Sequence, residues 1–281
     1  MKAVCVTVVG SVNLDLVAAL TRLPGPGETL TATGLTRVPG GKGANQALAV
    51  HRLGLPVQLI AAVGVDPEAD MALERLLHEG VNLDRLRRVT EPTGLALITV
   101  DAKGETTIVV IPGANAGLQV QAQDVAGAEA VLTVLEVSGQ AVAAAARHAT
   151  GLFVLNASPT RAVPTDVLRR ADLVVVNRAE YAALPALQVA RAVAVTDGPR
   201  GAVLLREGIE VATAVPPSVN AVDGTAAGDA FIGAAVAGLL RGLPDAVMLA
   251  RACAAGALAA TRPGAQPSLP TAAEIDEVLA R

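Results

Sequence analysis

The sequence is nearly free of aromatic residues, with one tyrosine, two phenylalanines and no tryptophan. So few rings cannot build a stacking platform for single-stranded nucleic acid. The formal net charge of -4 also argues against a nucleic-acid partner held by a general basic field. Hydrophobic residues make up 52% of the chain, so we expect a large core built from aliphatic side chains.

Cysteines and long hydrophobic runs are scarce as well. Cys5 and Cys253 suffice for neither a disulfide framework nor a zinc site, which favours a reduced, cytoplasmic setting. No stretch approaches the roughly 18 unbroken apolar residues of a membrane span. The Val-rich run near residue 5 is too short for a signal peptide and predicts a buried first strand instead.

Short Val, Leu and Ile runs alternate with Ala-rich segments of helical length. The predicted strands are 4–9, 57–63, 130–135, 153–155, 173–176, 193–196 and 202–205. The predicted helices are 43–53, 69–79, 140–148, 165–170, 180–184, 228–241 and 245–261. This alternation predicts an α/β fold with helices on both faces of a mostly parallel sheet, and residues 1–281 fit one such domain.

Residues 94–112 break the alternation, because two strand patterns flank a turn at residues 102–104. The Thr-rich stretch 28–38 is also predicted to be extended. Together, segments of approximately 14–38 and 94–112 predict a small antiparallel sheet that projects from the main body. The pattern alone leaves open whether this sheet is a lid over a site or an ordinary edge hairpin.

The stretch AVDGTAAGDAF, residues 221–231, places two aspartates around a run of small residues. Small residues before a helix let a ligand approach backbone N–H groups, which lack partners in the first helical turn. Asp229 fits either a helix N-cap or a general base beside developing negative charge. The stretch therefore indicates an anion site at a helix N-terminus.

Other polar motifs stand where predicted strands end or helices begin. PGGKGANQ (39–46) joins flexible glycines to the donors Lys42 and Asn45. GSVNLD (10–15) places Asn13 and Asp15 after the first strand, at the edge where open α/β sheets bind ligands. A glycine-rich turn and an Asx turn are the plain alternatives. Weaker signals are VVVNRAEY (174–181), TDGPRG (196–201) and TRPGAQPS (261–268).

Taken in order, these motifs resemble those of the ribokinase family of PfkB-type carbohydrate kinases. The most specific matches are GGKGANQ, NAVDGTAAGD and TRPGAQPS, and the resemblance runs from residue 10 to residue 268. It implies the ribokinase-like three-layer α/β fold with a β lid. It also implies transfer of the ATP γ-phosphoryl group to a sugar hydroxyl, with D-ribose as the expected acceptor and ribose 5-phosphate as the product.

The resemblance implies a role for each matching residue. Asp229 would accept the proton of the ribose 5-hydroxyl, and the backbone N–H groups of Ala226, Ala227 and Gly228 would form the anion hole. The implied sugar-binding residues are Asn13, Asp15, Gly41, Lys42, Asn45, Glu136 and Asp229. The implied ATP-binding residues are Asn177, Thr196, Gly198, Arg200, Gly201, Gly228 and Cys253. Glu180 would order Mg²⁺ through water.

A monovalent cation, usually K⁺, is also implied beside the anion-hole loop. The matching positions are Asp223, Thr225, Ala259, Arg262, Gly264 and Ser268. Three features depart from the family pattern. Gly224 replaces the usual Thr, Cys253 replaces a polar residue that often stands there, and the segment 182–191 is shorter than in most relatives. The lid strands are implied to close over the sugar and to pair in a homodimer.

Three alternatives bound the expectation of a D-ribose kinase. Within the family, the alternative is a kinase of deoxyribose, a nucleoside or another furanose. A protein that binds sugar without turnover belongs to another class, and the intact loop before Asp229 argues against it. An NAD-dependent enzyme is disfavoured, because GxGxxG does not follow the first strand.

Overall fold

The computed structural model describes residues 6–280. Its strands are β1 (Val6–Val9), β2 (Asn13–Ala19), β3 (Gly34–Gly40), β4 (Val57–Ile60), β5 (Ala62–Gly64), β6 (Arg87–Val89), β7 (Gly94–Val100), β8 (Thr106–Ile111), β9 (Ala130–Val134), β10 (Leu152–Asn156), β11 (Leu173–Asn177), β12 (Ala192–Thr196), β13 (Ala202–Arg206) and β14 (Ile209–Ala214).

Its helices are α1 (Lys42–Arg52), α2 (Pro67–Glu79), α3 (Ala122–Val125), α4 (Gly139–His148), α5 (Thr165–Arg170), α6 (Arg178–Ala183), α7 (Ala227–Leu240), α8 (Asp245–Ala259) and α9 (Ala272–Leu279). Short 3-10 turns occur at Gly113–Gly117, Pro185–Val189, Gly198–Arg200 and Gln266–Ser268.

The main sheet has eight strands in the order β14-β13-β12-β11-β10-β9-β1-β4. All pairings from β4 to β12 are parallel, and β13 and β14 add an antiparallel edge. The predicted α/β fold with a mostly parallel sheet is confirmed. The parallel strands all end at one edge, so the residues that follow them meet there.

Helices cover both faces of this sheet, as the strand periodicity requires. In β10, Val154 belongs to the cluster under α1, α7 and α8, whereas Phe153 and Leu155 belong to the cluster under α4 and α5. Both clusters are almost wholly aliphatic, with Phe153 and Phe231 as their only rings among the described residues. Alternate side chains thus serve opposite cores.

The small sheet has the order β3-β2-β7-β8. Its outer pairings are antiparallel and its central pairing, β2 with β7, is parallel. The predicted turn at 102–104 joins β7 to β8, and the Asp101 carboxylate closes it by accepting the N–H groups of Lys103 and Glu105. Both faces of β8 are exposed along its whole length.

Several predicted bounds need correction. Residues 28–33 are not a strand, because β3 begins only at Gly34. The predicted strand 57–63 is two strands, since β4 pairs with β1 whereas β5 turns away to pair with β6. The predicted strand 4–9 is confirmed from Val6 onward, and its first two residues, Cys5 among them, lie outside the described residues. Within residues 6–280 no helix is long and apolar enough to cross a membrane.

Candidate active site

Polar residues collect at the carboxyl edge of the main sheet. Ser11 follows β1 and Glu136 follows β9, while Asn156, Asn177 and Thr196 are the last residues of β10, β11 and β12. Parallel pairing brings these five positions to one edge. This edge is where open α/β sheets bind their ligands.

Glycines of the GGKG motif let the N-terminus of α1 lie directly on the link between β1 and β2. Gly41 has φ 89° and precedes the helix, and a Cβ there would stand 2.7 Å from the backbone nitrogen of Asn13. A Cβ on Gly43 would stand 2.4 Å from the nitrogen of Ser11. Larger residues at either position would push α1 away from the sheet edge.

Glu136 holds the start of α1 against the link between β1 and β2 by hydrogen bonds. Its Oε2 accepts the hydroxyl of Ser11 at 2.5 Å and the backbone N–H of Lys42 at 3.0 Å. The Ser11 hydroxyl oxygen in turn accepts the N–H of Gly43 at 3.2 Å. A carboxylate at the end of an apolar strand thus positions the Lys42 backbone, and Ser11 is a site residue that the sequence did not single out.

Asp229 is buried in the first turn of α7 and both of its oxygens are held by amides. Oδ2 accepts the Asn45 Nδ2 group at 2.9 Å and Oδ1 accepts the Gln46 Nε2 group at 2.9 Å. Neighbouring residues of α1 therefore orient the carboxylate on α7. The sequence pointed to Asn45 but missed Gln46, although it is the next residue of the same motif.

Burial and the neighbouring side chains shift the pKa of Asp229 in opposite directions. Burial raises the pKa of Asp229 above its ordinary value, against the opposing effects of Lys42, Gln46 and Asn45. Burial alone would lower the pKa of Lys42, but the surrounding carboxylates, Asp229 first among them, outweigh burial and raise that pKa. Lys42 is therefore positively charged beside Asp229. Burial raises the pKa of Asp229, which makes its carboxylate a stronger proton acceptor.

Asp15 lies beside this pair in the first residues of β2. Burial, together with the carboxylates of Glu136 and Asp229, raises the pKa of Asp15 to about 7, and Lys42 opposes that rise. Gly40 packs so closely that a Cβ there would stand 2.2 Å from Asp15 Oδ2. Without a ligand, Asp15 is thus poised between its neutral and charged forms near neutral pH.

Three buried acceptor atoms of this cluster have no hydrogen-bond partner among the described residues. They are Asp15 Oδ1, Asn45 Oδ1 and Gln46 Oε1. A buried polar atom without a partner costs free energy, so such atoms in a native protein call for an explanation. All three are acceptors, so a ligand that satisfies them must bring several donors.

Asn13 is held by Asn115, which lies in the 3-10 turn after the last strand of the small sheet. Asn115 donates from Nδ2 to Asn13 Oδ1 at 2.8 Å and to the Val12 carbonyl at 3.0 Å, and its own Oδ1 accepts the Val12 N–H. Asn115 was missed, although it closes the polar end PGAN of the 94–115 segment. It ties the small sheet to the sheet edge.

A cavity of about 140 Å³ extends from Lys42 and Asp229 toward β11 and β12. Its walls include Asn156, Ser158, Asn177, Glu180, Thr196, Thr225 and Gly228. Asn177 and Glu180 cap α6 reciprocally: Asn177 Oδ1 accepts the Glu180 N–H at 2.8 Å, and Glu180 Oε2 accepts the Asn177 N–H at 2.7 Å. The cavity brings three of the predicted ATP-binding residues, Asn177, Thr196 and Gly228, together with Glu180 and Asp229.

The TDGPRG loop follows Thr196, but Arg200 and Gly201 line a second cleft and not this cavity. Gly198 and Gly201 have φ of 54° and 99°, and a Cβ on Gly201 would stand 2.0 Å from the Ala214 carbonyl oxygen. Arg200 is exposed and binds Asp197 through two nitrogens, at 2.8 and 2.6 Å. The loop is therefore a tight turn that presents a guanidinium to solvent.

Cys253 lies behind the same loop on α8. Its thiol is buried and stands 3.6 Å from the Ala214 carbonyl oxygen, and burial raises its pKa to about 11. The thiol is therefore neutral at physiological pH. A neutral, buried thiol is a small apolar group with only a weak hydrogen-bond donor.

The small residues before Asp229 shape the start of α7. The Ala227 N–H donates to the Gly224 carbonyl at 3.1 Å, so this donor is already used within the loop. Gly228 is the second residue of the helix, where N–H groups lack an intrahelical acceptor. Of the three predicted anion-hole donors, Ala226 and Gly228 are thus better placed than Ala227.

The loop at Asp223 is bound to the end of α8. The Val222 and Asp223 N–H groups donate to the Ala260 carbonyl, and Asp223 Oδ2 accepts the Gly264 N–H at 2.8 Å. Burial would raise the pKa of Asp223, but hydrogen bonds from Thr225 and Gly264 outweigh it and hold that pKa below its ordinary value. An ionised carboxylate is thus held in this loop by the N–H groups of Thr225 and Gly264.

The other predicted cation-binding residues differ in which of their atoms remain near the loop. The Ser268 hydroxyl donates to the Ala265 carbonyl. The Ser268 side chain therefore stays within the 261–268 loop. The Arg262 side chain turns away to bind Glu274, so only its backbone is available to the loop. Within residues 6–280 no group of three or more His, Cys, Asp or Glu side chains is arranged to hold a metal ion.

Comparison with known proteins agrees with this geometry. The model of the pfkB family carbohydrate kinases matches residues 5–272. A ribokinase of Haemophilus influenzae is 33% identical over 302 aligned residues, which cover 97% of each chain. A deoxyribokinase of Salmonella typhi is 30% identical over 302 residues and covers 98% of each chain. The structure of Arabidopsis thaliana ribokinase with ribose and ATP superposes with a TM-score of 0.88 at 27% identity, covering 100% of both chains.

Proposed function

The chain belongs to the pfkB family of carbohydrate kinases, which are phosphotransferases with an alcohol acceptor, and we propose that it phosphorylates D-ribose on the 5-hydroxyl with ATP. The observation that carries the proposal is the set of unpartnered acceptors on Asp15, Asn45 and Gln46. A polyol brings several O–H donors to one place, as these atoms require. The likeness to ribokinases over nearly the full chain supports ribose as that polyol.

Asp229 is the proposed general base. Its two amide contacts fix the carboxylate, and its raised pKa makes it a better acceptor for the hydroxyl proton than an exposed aspartate. As the proton moves to Asp229, the sugar oxygen attacks the γ-phosphorus of ATP and ADP leaves. Phosphoryl transfer depends mainly on positioning and charge stabilisation, so the base is one contributor among several.

The surrounding donors stabilise the charge on the transferring group. Lys42 remains cationic and lies on the same cavity as Asp229 and Gly228. The N-terminus of α7 adds its unpaired N–H groups and the positive end of its dipole. We propose that the phosphates of ATP lie along this cavity from Gly228 toward Asn177 and Thr196, with the adenosine beyond Gly201 and beside Cys253.

Two ions are part of the proposal. Mg²⁺ would be held by the ATP phosphates and, through water, by Glu180 and Asn177; when bound it neutralises phosphate charge. We propose that a monovalent cation such as K⁺ binds the loop of Asp223, Thr225, Ala259, Arg262, Gly264 and Ser268, where the lowered pKa of Asp223 keeps a carboxylate ionised. Its proposed effect is to stiffen the loop that precedes Asp229.

The small sheet is the proposed lid and association surface, formed by segments of approximately 14–38 and 94–112. Leu35, Leu97, Ile108 and Val109 are exposed on it, and β8 is its free edge. Apolar residues on a free edge favour pairing with a second copy. We propose a homodimer through this sheet, as well as a cytoplasmic location for the enzyme.

Deoxyribose is the second candidate acceptor, because the Salmonella typhi deoxyribokinase is 30% identical over a comparable length. A panel of ribose, 2-deoxyribose, fructose and a nucleoside, each with ATP, Mg²⁺ and K⁺, separates the candidates by ADP release. The proposal predicts the highest kcat/KM with ribose. Preference for deoxyribose or a nucleoside would contradict ribose as the substrate while preserving the kinase assignment, and no turnover with any sugar would contradict both.

A further inference from the structure

An open cleft of about 510 Å³ lies on one face of the main sheet, away from Asp229. Val203 forms its floor between two register neighbours, Val195 on β12 and Thr213 on β14. Leu205 and Tyr181 complete its apolar wall. Tyr181, one of only three aromatic residues in the chain, is 39% exposed there.

The cleft exists because the crossover that leads into β12 is short. β11 ends at Asn177 and β12 begins at Ala192, which leaves the 14 residues 178–191 between them. A parallel crossover needs about a dozen residues at least. These residues form α6 and the turn Pro185–Val189, and α6 packs on β11 and β12. α8 packs on the opposite face of β13 and β14. The face of these two strands on the α6 side of the sheet therefore stays open.

The same region ends in a free apolar edge. β14 is the last strand of the main sheet. Ile209 is 69% exposed and Val211 46% exposed on this strand, and Val215 just beyond it is 77% exposed. Contiguous exposed aliphatic residues on an edge strand favour association with another chain. We call the cleft and this edge together the β12–β14 face.

Charges of opposite sign lie at the two ends of the β12–β14 face. Arg178 and Arg200 share the carboxylate of Asp197 at one end, which leaves a net charge of about +1 there. The exposed Glu207 and Glu210 lie at the other end, in the β13–β14 hairpin. The five residues of β13 separate the ends by about 17 Å.

The arginines near the acidic end do not cancel its charge. Arg206 binds Asp245 through two nitrogens, at 2.7 and 2.6 Å. Arg191 lies 3.6 Å from Asp172. Both cations therefore already have carboxylate partners within the chain, and the acidic end keeps its net negative charge.

We propose that the β12–β14 face binds the same face of a second copy of this chain across a two-fold axis. Such an axis places each residue's partner opposite it twice. The arginine end of one copy then meets the glutamate end of the other. The clefts that contain Val195 and Val203 face each other at the centre. An apolar centre with a charged rim is the usual anatomy of a protein interface. This association is separate from Asp229 and from pairing through the small sheet, although its arginine end adjoins the proposed ATP-binding loop at Arg200 and Gly201.

Light scattering on a size-exclusion column tests the proposal in a Val109→Asp background, which places a charge on the free edge of the small sheet and removes association there. Val203→Asp then places two carboxylates near each other at the two-fold axis. We expect Val109→Asp to be a dimer, Val109→Asp with Val203→Asp to have half that mass, and Val109→Asp with Val247→Asp, at an exposed valine of α8, to remain a dimer. A monomeric Val109→Asp chain would overturn the proposal and leave the face to another kind of partner.

Charge reversal provides a second test that does not touch the apolar floor. Arg178→Glu and Glu210→Arg should each weaken the Val109→Asp dimer by at least tenfold in its dissociation constant, and combining them in one chain should restore most of that loss. The restoration is expected only if the two ends meet across a two-fold axis. If the double reversal is as weak as the worse single variant, the proposed arrangement is wrong.

Discussion

The contact between Gln46 and Asp229 provides a direct test of how the proposed base is tuned. Gln46 Nε2 donates to Asp229 Oδ1 at 2.9 Å, and both side chains are buried. Gln46→Leu removes this donor at nearly constant volume. The donor stabilises the charged carboxylate, so its loss raises the pKa of Asp229 further above its ordinary value. A larger fraction of the enzyme is then protonated, and inactive as a base, at any given pH.

The size of the effect follows from the type of hydrogen bond. A bond to a charged group contributes about 1.5–3 kcal/mol. One pKa unit corresponds to about 1.4 kcal/mol, so the acid limb of kcat/KM should move up by about 1–2 pH units. The Asn45 contact to Oδ2 is retained, so kcat/KM should rise again at high pH, to a plateau lowered by the loss of Gln46 Oε1 as a sugar acceptor.

Steady-state rates with saturating ATP, measured across pH, give the position of the acid limb. Gln140→Leu, at an exposed position in the first turn of α4, is the matched control and should keep the limb of the unmodified enzyme. A Gln46→Leu enzyme with a lower rate but an unshifted acid limb would refute the reasoning. Such a result would show that Gln46 has no influence on the pKa of the proton acceptor.

Three further outcomes are expected. Because the pKa of Asp15 is about 7 in the folded protein, against an ordinary value of 3.8, its contribution to stability is full below about pH 4 and is lost as pH rises toward 7. The unfolding temperature of the sugar-free protein should therefore fall less steeply over this window in Asp15→Asn, and equal slopes would contradict the shift. Gly40→Ala should raise the KM for ribose at least about tenfold, or 1.4 kcal/mol, since its Cβ would meet Asp15 Oδ2 at 2.2 Å, whereas Gly139→Ala, with nothing within 4 Å, should not. Replacing K⁺ by tetramethylammonium should slow turnover in the unmodified enzyme but not in Asp223→Ala, and equal rates in the two salts would contradict cation activation.

Periodicity and turn residues were sufficient to predict the main sheet except for its edge strand β14. The buried strands are continuous aliphatic runs, and seven of the predicted strands and all the predicted helices correspond to observed elements within a few residues. β14 was not predicted, because its sequence IEVATA mixes polar and apolar residues at the sheet edge. The partition of 57–63 into β4 and β5 depends on pairing with β6, which is a tertiary choice that a local pattern does not contain.

The candidate site was predictable where one motif carries both the shape and the chemistry. Asp229, Lys42 and Asn45 do gather at one place, as their motifs indicated. Asn115 escaped notice because its partners, Val12 and Asn13, lie about a hundred residues away in sequence. The use of the Ala227 N–H by Gly224 depends on a backbone turn that composition alone does not fix.

The most direct test of the central claim is the turnover of Asp229→Asn with ribose and ATP. The amide cannot accept the hydroxyl proton, yet it preserves the size of the buried side chain. We expect an unchanged fold by circular dichroism, retained sugar binding by calorimetry and a kcat lower by at least about 10². A kcat within a few fold of the unmodified enzyme would show that Asp229 is not the base and would contradict the account of this site.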